Sequence, residues 1–118
     1  MVAPTIGDVD LALRALGFIP HAFVTINRRA ISPILIENDV YRGLNQLMEA
    51  DMIYVRDFRD PAALSDEQLK FLAVIAYGCY GSYDLAFRCL KILTERSAVP
   101  ADTAPTFLNA LNSVAAPR

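Results

Sequence analysis

Residues 43–58 read GLNQLMEADMIYVRDF, and the interpretation of the whole chain starts from this stretch. Its centre, residues 52–55, is a run of four apolar side chains, with Asp51 before it and Arg56 after it. Side chains of this kind favour strands, and continuous rather than alternating hydrophobicity is typical of strands covered on both faces. We therefore predict a buried strand over residues 52–55.

Two earlier stretches also have strand-like sequences. Residues 21–26 are rich in β-branched and aromatic side chains, which predicts a strand that is at least partly covered on both faces. Residues 30–35 are apolar too, but Pro33 has no N–H to donate to a ladder, so we predict an edge strand or an extended segment. The apolar side chains of residues 40–48 recur at helical spacing, but Gly43 weakens a helix, so a short turn or loop is the alternative.

Helices are predicted at the N-terminus and directly after the third strand. Asp8 is the expected cap of a helix over residues 9–16, and Gly17 is expected to end it. Ser65 and Gln68 have the spacing of a capping box, in which each side chain accepts from the backbone amide of the other residue. The helix that follows is apolar nearly all round, which predicts a central position. Its two apolar stripes are Leu69, Leu72, Ala73 and Ala76, and Phe71, Val74 and Ile75.

Two further helices are predicted in the last third of the chain. Residues 78–81, GCYG, are expected to form the tip of a helical hairpin, and Ser82 is expected to cap a helix that ends near Arg96. Asp102 or Thr103 is expected to begin the last helix. The predicted buried sides of these helices are Ala86, Cys89, Leu90 and Leu93, and Phe107, Leu108, Leu111 and Val114.

These elements predict one α+β domain over residues 1–118. It consists of a small antiparallel strand set, an N-terminal helix and a C-terminal three-helix group. A chain of 118 residues has the length of one domain and buries a core without disulfides or metals. The hydrophobic share of 54% is high for so small a domain, so we expect part of the apolar surface to face a partner.

Composition argues against several classes of function. Eleven basic and thirteen acidic residues give a formal net charge of −2, whereas nucleic-acid binding needs a basic face. No apolar run reaches the ~20 residues of a membrane span, and no basic and apolar signal-peptide regions are recognised. Cys79 and Cys89 have neither a zinc nor a redox spacing. We therefore expect a cytoplasmic protein with inert thiols and with no nucleic-acid or membrane partner.

The central stretch also carries a similarity to a known family. The residues LNQL at 44–47, followed by ADMIYVRDF at 50–58, resemble a pattern in the C-terminal part of FkbM-type methyltransferases. The similarity covers about residues 11–93. Its other parts are the helix exit Leu16-Gly17-Phe18, the strand and arginine-containing turn of residues 23–29, and the helices over residues 64–76 and 83–93.

What the resemblance implies is a topology without a catalytic site. Such methyltransferases resemble the class I fold, in which S-adenosylmethionine sits on a Gly-rich loop after the first parallel strand. The five glycines of this chain include no Gly-x-Gly after a strand, so the cofactor-binding half is absent. We therefore assign no catalytic, cofactor-binding or metal residue. The implied piece, standing alone, would leave sheet edges that invite pairing with another chain.

Several charged residues are interpreted as structural rather than functional. His21 would need a partner and a substrate pocket to act as a general base, so we expect a surface or edge residue. Arg28 and Arg29 could hold an anion, but an exposed hairpin turn is favoured. The acids around the third strand could bind a hard cation, but a solvated rim paired with arginines is favoured. These acids are Glu49, Asp51, Asp57 and Asp60.

Six residues remain as candidates for an interface or for structural polar contacts. They are Asn45, Gln46, Arg56, Tyr77, Tyr80 and Tyr83. Asn45 and Gln46 are expected to tie down loop amides, with a site lining as the alternative. Arg56 is expected to form a bidentate pair with one of the aspartates at positions 51, 57 and 60. The three tyrosines are expected to pack the helix junction or to anchor a protein interface, and an aromatic ligand wall is the alternative.

The sequence thus predicts a non-catalytic interaction or oligomerisation module that needs no cofactor. The expected partner is a protein, either a second copy of the chain or a methyltransferase-like protein. One alternative is part of an S-adenosylmethionine-dependent O-methyltransferase, completed by a partner chain or a longer polypeptide. Another is a small-molecule carrier with a pocket between the tyrosine-rich hairpin and the strands.

Overall fold

The computed structural model describes residues 3–114, which form four α-helices and one two-stranded antiparallel sheet. These elements confirm the predicted α+β class, with one helix before the strands and three after them. The described chain divides after Arg56 into two compact units. The elements are α1 (Ile6–Ala15), β1 (Phe18–Arg28), β2 (Leu47–Arg56), a 3-10 turn (Pro61–Ala63), α2 (Asp66–Tyr80), α3 (Tyr83–Glu95) and α4 (Thr103–Val114).

Helix α1 begins earlier than predicted because Thr5, and not Asp8, is its N-cap. The Thr5 hydroxyl accepts from the Asp8 amide at 3.2 Å, and the Asp8 carboxylate accepts from the Thr5 amide at 2.9 Å. The prediction of Asp8 as the cap was wrong because Asp8 is the third helical residue of this capping box. Gly17 follows the helix with φ +91°, which confirms the predicted stop.

Both strands are longer than predicted. They pair from Phe18 opposite Arg56 to Arg28 opposite Leu47, so Phe18, which the resemblance places in the helix exit, already belongs to β1. Pro20 is tolerated in β1 because each strand of this two-stranded sheet has a neighbour on one side only. On the unpaired side, the missing N–H of a proline removes no hydrogen bond of the sheet. In β2, Val55 is buried but residues 52–54 are only half-buried, so the predicted covering on both faces was wrong for most of this strand.

Residues 31–46 form an irregular loop instead of the predicted second strand over residues 30–35. Pro33 cannot join a ladder, and Glu37 and Asn38 turn the chain with φ of 50° and 58°. Of the two alternatives for residues 40–48, the loop is confirmed up to the start of β2. Gly43 is required there because a Cβ at this position would overlap the backbone of Arg29.

Helix α2 begins at the predicted capping box. The Ser65 hydroxyl accepts from the Gln68 amide at 3.1 Å, and the Gln68 side chain accepts from the Ser65 amide at 2.9 Å. The helix continues through the predicted hairpin tip to Tyr80, and Gly81 ends it with φ +63°. The predicted stripe of Leu69, Leu72, Ala73 and Ala76 is buried, as expected. The second stripe is exposed, so the predicted central position of α2 was wrong.

The last two helices agree largely with the predicted pattern. In α3, Leu85 is buried together with three of the four predicted residues, whereas Leu90 is half-buried. Ser82 occupies the N-cap position, but its side chain does not cap the helix amides, so this part of the prediction was wrong. Thr103 begins α4, which was one of the two predicted starts. On the predicted apolar side of α4, Phe107 and Leu111 are half-buried and Leu108 is exposed, while the side chain of Val114 lies outside the described residues.

Arg96 holds the segment of residues 61–66, which leads into α2. Its guanidinium donates to the carbonyl oxygens of Leu64 at 2.8 Å and Pro61 at 2.6 Å, and to the Asp66 carboxylate at 3.1 Å. Arg88 similarly donates to the carbonyl of Phe58 at 3.0 and 3.2 Å. Because a guanidinium carries several donors in a fixed plane, each of these arginines binds backbone carbonyls of the segment before α2, and the Pro61 carbonyl also accepts from the Leu64 amide at 3.0 Å.

A series of side-chain hydrogen bonds connects α1 to β2. The Tyr54 hydroxyl donates to Asp10 at 2.6 Å, and Arg14 donates to the other oxygen of that carboxylate at 2.8 Å. Helix α1 buries none of its own residues, so these hydrogen bonds contribute directly to the attachment of α1 to the sheet. The hydrogen bond from Tyr54 lowers the pKa of Asp10 below its usual 3.8, and the Asp10 carboxylate raises the pKa of Tyr54 above 10.0.

We expect the attachment of α1 to weaken at both ends of the pH scale. The contribution of Asp10 is lost as pH falls through its lowered pKa, and that of Tyr54 as pH rises through its raised pKa. The phenolate absorbance of Tyr54, isolated as the difference between the wild type and Tyr54→Phe, should titrate above pH 10.0. In Asp10→Asn the midpoint should fall. An unchanged midpoint would show that the hydrogen bond does not form in solution.

Candidate interaction surface

Aromatic rings meet where α2, α3 and α4 converge. Tyr77 lies 5.4 Å from Tyr83, with the ring planes at 52°, and 5.9 Å from Phe107 in an edge-to-face arrangement. Phe87 stacks on Phe107 at 6.5 Å. These separations are those that aromatic pairs prefer. Tyr77 and Tyr83 therefore contact each other at the helix junction with 54% and 47% of their surface still exposed, and Tyr80, at the end of α2, is 41% exposed.

A groove of about 540 Å³ opens beside this junction. Its lining consists of apolar side chains from α2, α3 and α4 together with the rings of Tyr77, Tyr83 and Phe107. A volume of this size matches the pockets that bind small molecules. All residues that line it belong to the helical unit, so this groove is a different one from the pocket predicted between the tyrosines and the strands.

The outer face of α2 is apolar and open to solvent. Phe71 is 64% exposed, Val74 is 68% exposed and Ile75 is 45% exposed. Together with Gly78 they follow the i, i+3, i+4, i+7 spacing of a single helix face, opposite the buried stripe. A Cβ built on Gly78 meets no atom within 4 Å, so this glycine leaves an open notch at one end of the face.

The polar candidates from the sequence belong to the first unit. The Gln46 side chain donates to the carbonyl of Leu47 at 3.1 Å, and Asn45 lines a small cavity of about 110 Å³ in the loop of residues 31–46. The guanidinium of Arg56 lies 5.1 Å from the ring centre of Phe18. The bidentate pair with an aspartate that we predicted for Arg56 is formed instead by Arg59, which donates to both oxygens of Asp57 at 2.8 Å.

The other charged residues are placed within the elements or along their rims. Glu49 accepts from the side chain of Asn27 at 2.9 Å, and His21 is half-buried in β1. Among residues 3–114, no three side chains of the histidine, cysteine, aspartate and glutamate types converge as a metal ion would require. Arg28 and Arg42 line an open cleft of about 610 Å³, and Arg42 forms an ion pair with Glu37.

The sequence analysis missed hydrogen bonds that join residues far apart in the sequence. It also did not name the pair of Asp10 and Arg14, although their i, i+4 spacing is that of a helical ion pair. The contact between Tyr54 and Asp10 joins positions 44 residues apart, for which the sequence contains no signal. The roles of Arg88 and Arg96 depend likewise on the packing of α3.

Comparison of the chain with protein-family models, with curated proteins and with solved structures found no match. Within the described part of the chain, every helix is too short or too polar to cross a membrane.

The two cysteines should differ in reactivity. Cys89 is fully buried in α3, and burial raises the pKa of its thiol to about 11. Cys79 is exposed, so of the two thiols predicted to be inert only Cys89 is protected by burial. Mild alkylation near pH 8, followed by mass spectrometry, should add one group to the native protein and two after denaturation. Cys79→Ser should remain unmodified while native. Two additions at equal rates to the native protein would contradict the placement of Cys89.

Proposed function

We propose that this chain is a non-catalytic interaction module that assembles with a second copy of itself. The observation that carries the proposal is the amount of large apolar surface that the described residues leave open. Twenty-one large apolar side chains are exposed, whereas thirteen apolar residues, several of them alanines, are buried. Monomeric soluble proteins rarely expose contiguous apolar patches above a few hundred Å².

The imbalance is greatest in the first unit. Fourteen of the exposed large apolar side chains precede Asp57, and the buried residues of this part are Ile19, Ala30 and Val55. Such a unit gains little from burial to offset the entropy of ordering its backbone. Covering its apolar side chains in an assembly would supply the missing stabilisation.

A second copy is the partner that the helical unit fits best. Closed two-fold dimers are the commonest assemblies of soluble proteins, and their interfaces use the same patch on both copies. The outer face of α2 carries both a bulky aromatic side chain and an open notch at Gly78, so one such face supplies both parts of a complementary pair.

The proposal predicts concentration-dependent association. Sedimentation of the purified chain should show a dimer or higher oligomer that dissociates on dilution. A dye that fluoresces on apolar surface should bind more strongly as the oligomer dissociates, because dissociation uncovers that surface. A species that sediments as a monomer at every concentration and binds no dye would overturn the proposal.

The groove beside the aromatic junction supports a second candidate, a carrier of a neutral, flat small molecule. Its residues offer apolar contact and ring faces for stacking, and the hydroxyls of Tyr77 and Tyr83 are its polar groups. Because Val74, Tyr77 and Gly78 line the groove and also border the outer face of α2, a bound ligand would compete with a second copy.

Calorimetry and native mass spectrometry test this candidate. A carrier should retain a co-purified molecule, and Tyr77→Ala should release it, while Tyr41→Ala, in the first unit, should not. S-adenosylmethionine, the ligand implied by the resemblance to methyltransferases, is titrated in the same series. Heat of binding from it would favour the alternative of a methyltransferase completed by another chain. Absence of any retained molecule would count against the carrier.

A further inference from the structure

We infer that two copies pair through α2, antiparallel, with Phe71 of each copy seated at Gly78 of the other. The inference rests on the proposed self-association and specifies its contact surface. Its basis is the arrangement of four residues on one helix face: Phe71, Val74, Ile75 and Gly78.

The symmetry of the face determines the register. Phe71 and Gly78 lie equally far on either side of the bond between Val74 and Ile75. A two-fold axis that passes between the two helices at the level of this bond reverses the direction of the second helix and places Phe71 opposite Gly78 twice. The axis brings the two Val74 side chains together on one side of it and the two Ile75 side chains together on the other.

Gly78 supplies the space that this packing needs. The ring of Phe71 stands in solvent in the described chain, and a Cβ on Gly78 would meet nothing within 4 Å. A glycine in a helix costs about 0.5–1 kcal/mol relative to alanine. No neighbour within the described chain requires this glycine, whereas close approach of a second helix does, because a small residue lets the backbones come together.

The outer face of α2 supplies the centre of an interface. The exposed portions of Phe71 and of Tyr77, which flanks Val74, amount together to roughly 180–300 Å², taking about 150–250 Å² for each fully buried aromatic side chain. Val74 and Ile75 add to this area. Specific dimers bury about 800 Å² per partner, so this face supplies the central part of a standard interface and the surface around it supplies the rest.

Four variants and a control test the pairing by sedimentation. Phe71→Ala should weaken the dimer roughly 30-fold or more, as for the loss of a central aromatic anchor. Gly78→Phe should weaken it at least about 10-fold because two rings then compete for one space. The double variant Phe71→Ala/Gly78→Phe exchanges large and small residues, so it should regain most of the lost affinity.

Gly78→Ala separates folding from pairing: it should raise the thermal stability of the helical unit while weakening the dimer. Lys91→Ala, which truncates an exposed polar side chain of α3, should leave the affinity unchanged.

Disulfide trapping tests the two-fold axis directly. Val74→Cys in a Cys79→Ser background should form a covalent dimer under mild oxidation, since the two positions face each other across the axis. Lys91→Cys in the same background, on the exposed side of α3, should not. If the wild type is a dimer but Val74→Cys fails to cross-link and the double variant shows no recovery, the pairing is overturned and self-association stands. If the wild type is a monomer at every concentration, both fail.

Discussion

A helix that packs on one side can bury only one of its faces, and this constraint governs the second unit. Helix α2 buries Leu69, Leu72, Ala73 and Ala76 within the helical unit. These residues occupy one side of the helix, so Phe71 and Val74 necessarily point the other way. Exposing them forgoes about 1.5–3 kcal/mol for each large side chain relative to burial. Association through this face would recover part of that free energy.

The first unit meets a related constraint through its loop. The sixteen residues 31–46 contain six exposed large apolar side chains but have no regular structure apart from the isolated bridge between Ile36 and Asp39. The loop is held by its own backbone: Ala30 donates to the Val40 carbonyl at 2.8 Å, Arg29 donates to the Gln46 carbonyl at 3.0 Å, and Gly43 lies against the backbone of Arg29. Its course is thus fixed by hydrogen bonds, while its apolar side chains remain exposed.

Local signals predicted the helices well, and the strands less well. The Ser65–Gln68 capping box and the buried stripe of α2 were readable because both depend on spacing within one helix. The loop of residues 31–46 was not, because its apolar composition resembles that of a strand and its path depends on contacts with distant backbone atoms. The tyrosine junction could be anticipated as a cluster, but the groove beside it depends on Phe107 of α4, whose position relative to Tyr77 is set by packing.

The direction of the α2 face follows from the polar corner before it. Arg96 holds the carbonyls of Pro61 and Leu64 and the carboxylate of Asp66, so it joins the end of α3 to the start of α2. The capping box at Ser65 then fixes where the helix begins and hence which side chains face α3. With start and rotation both fixed, Phe71 and Gly78 are oriented outward in the folded helical unit. A surface that is ordered in advance pays less entropy on binding, so the same contacts give tighter association than they would on a flexible segment.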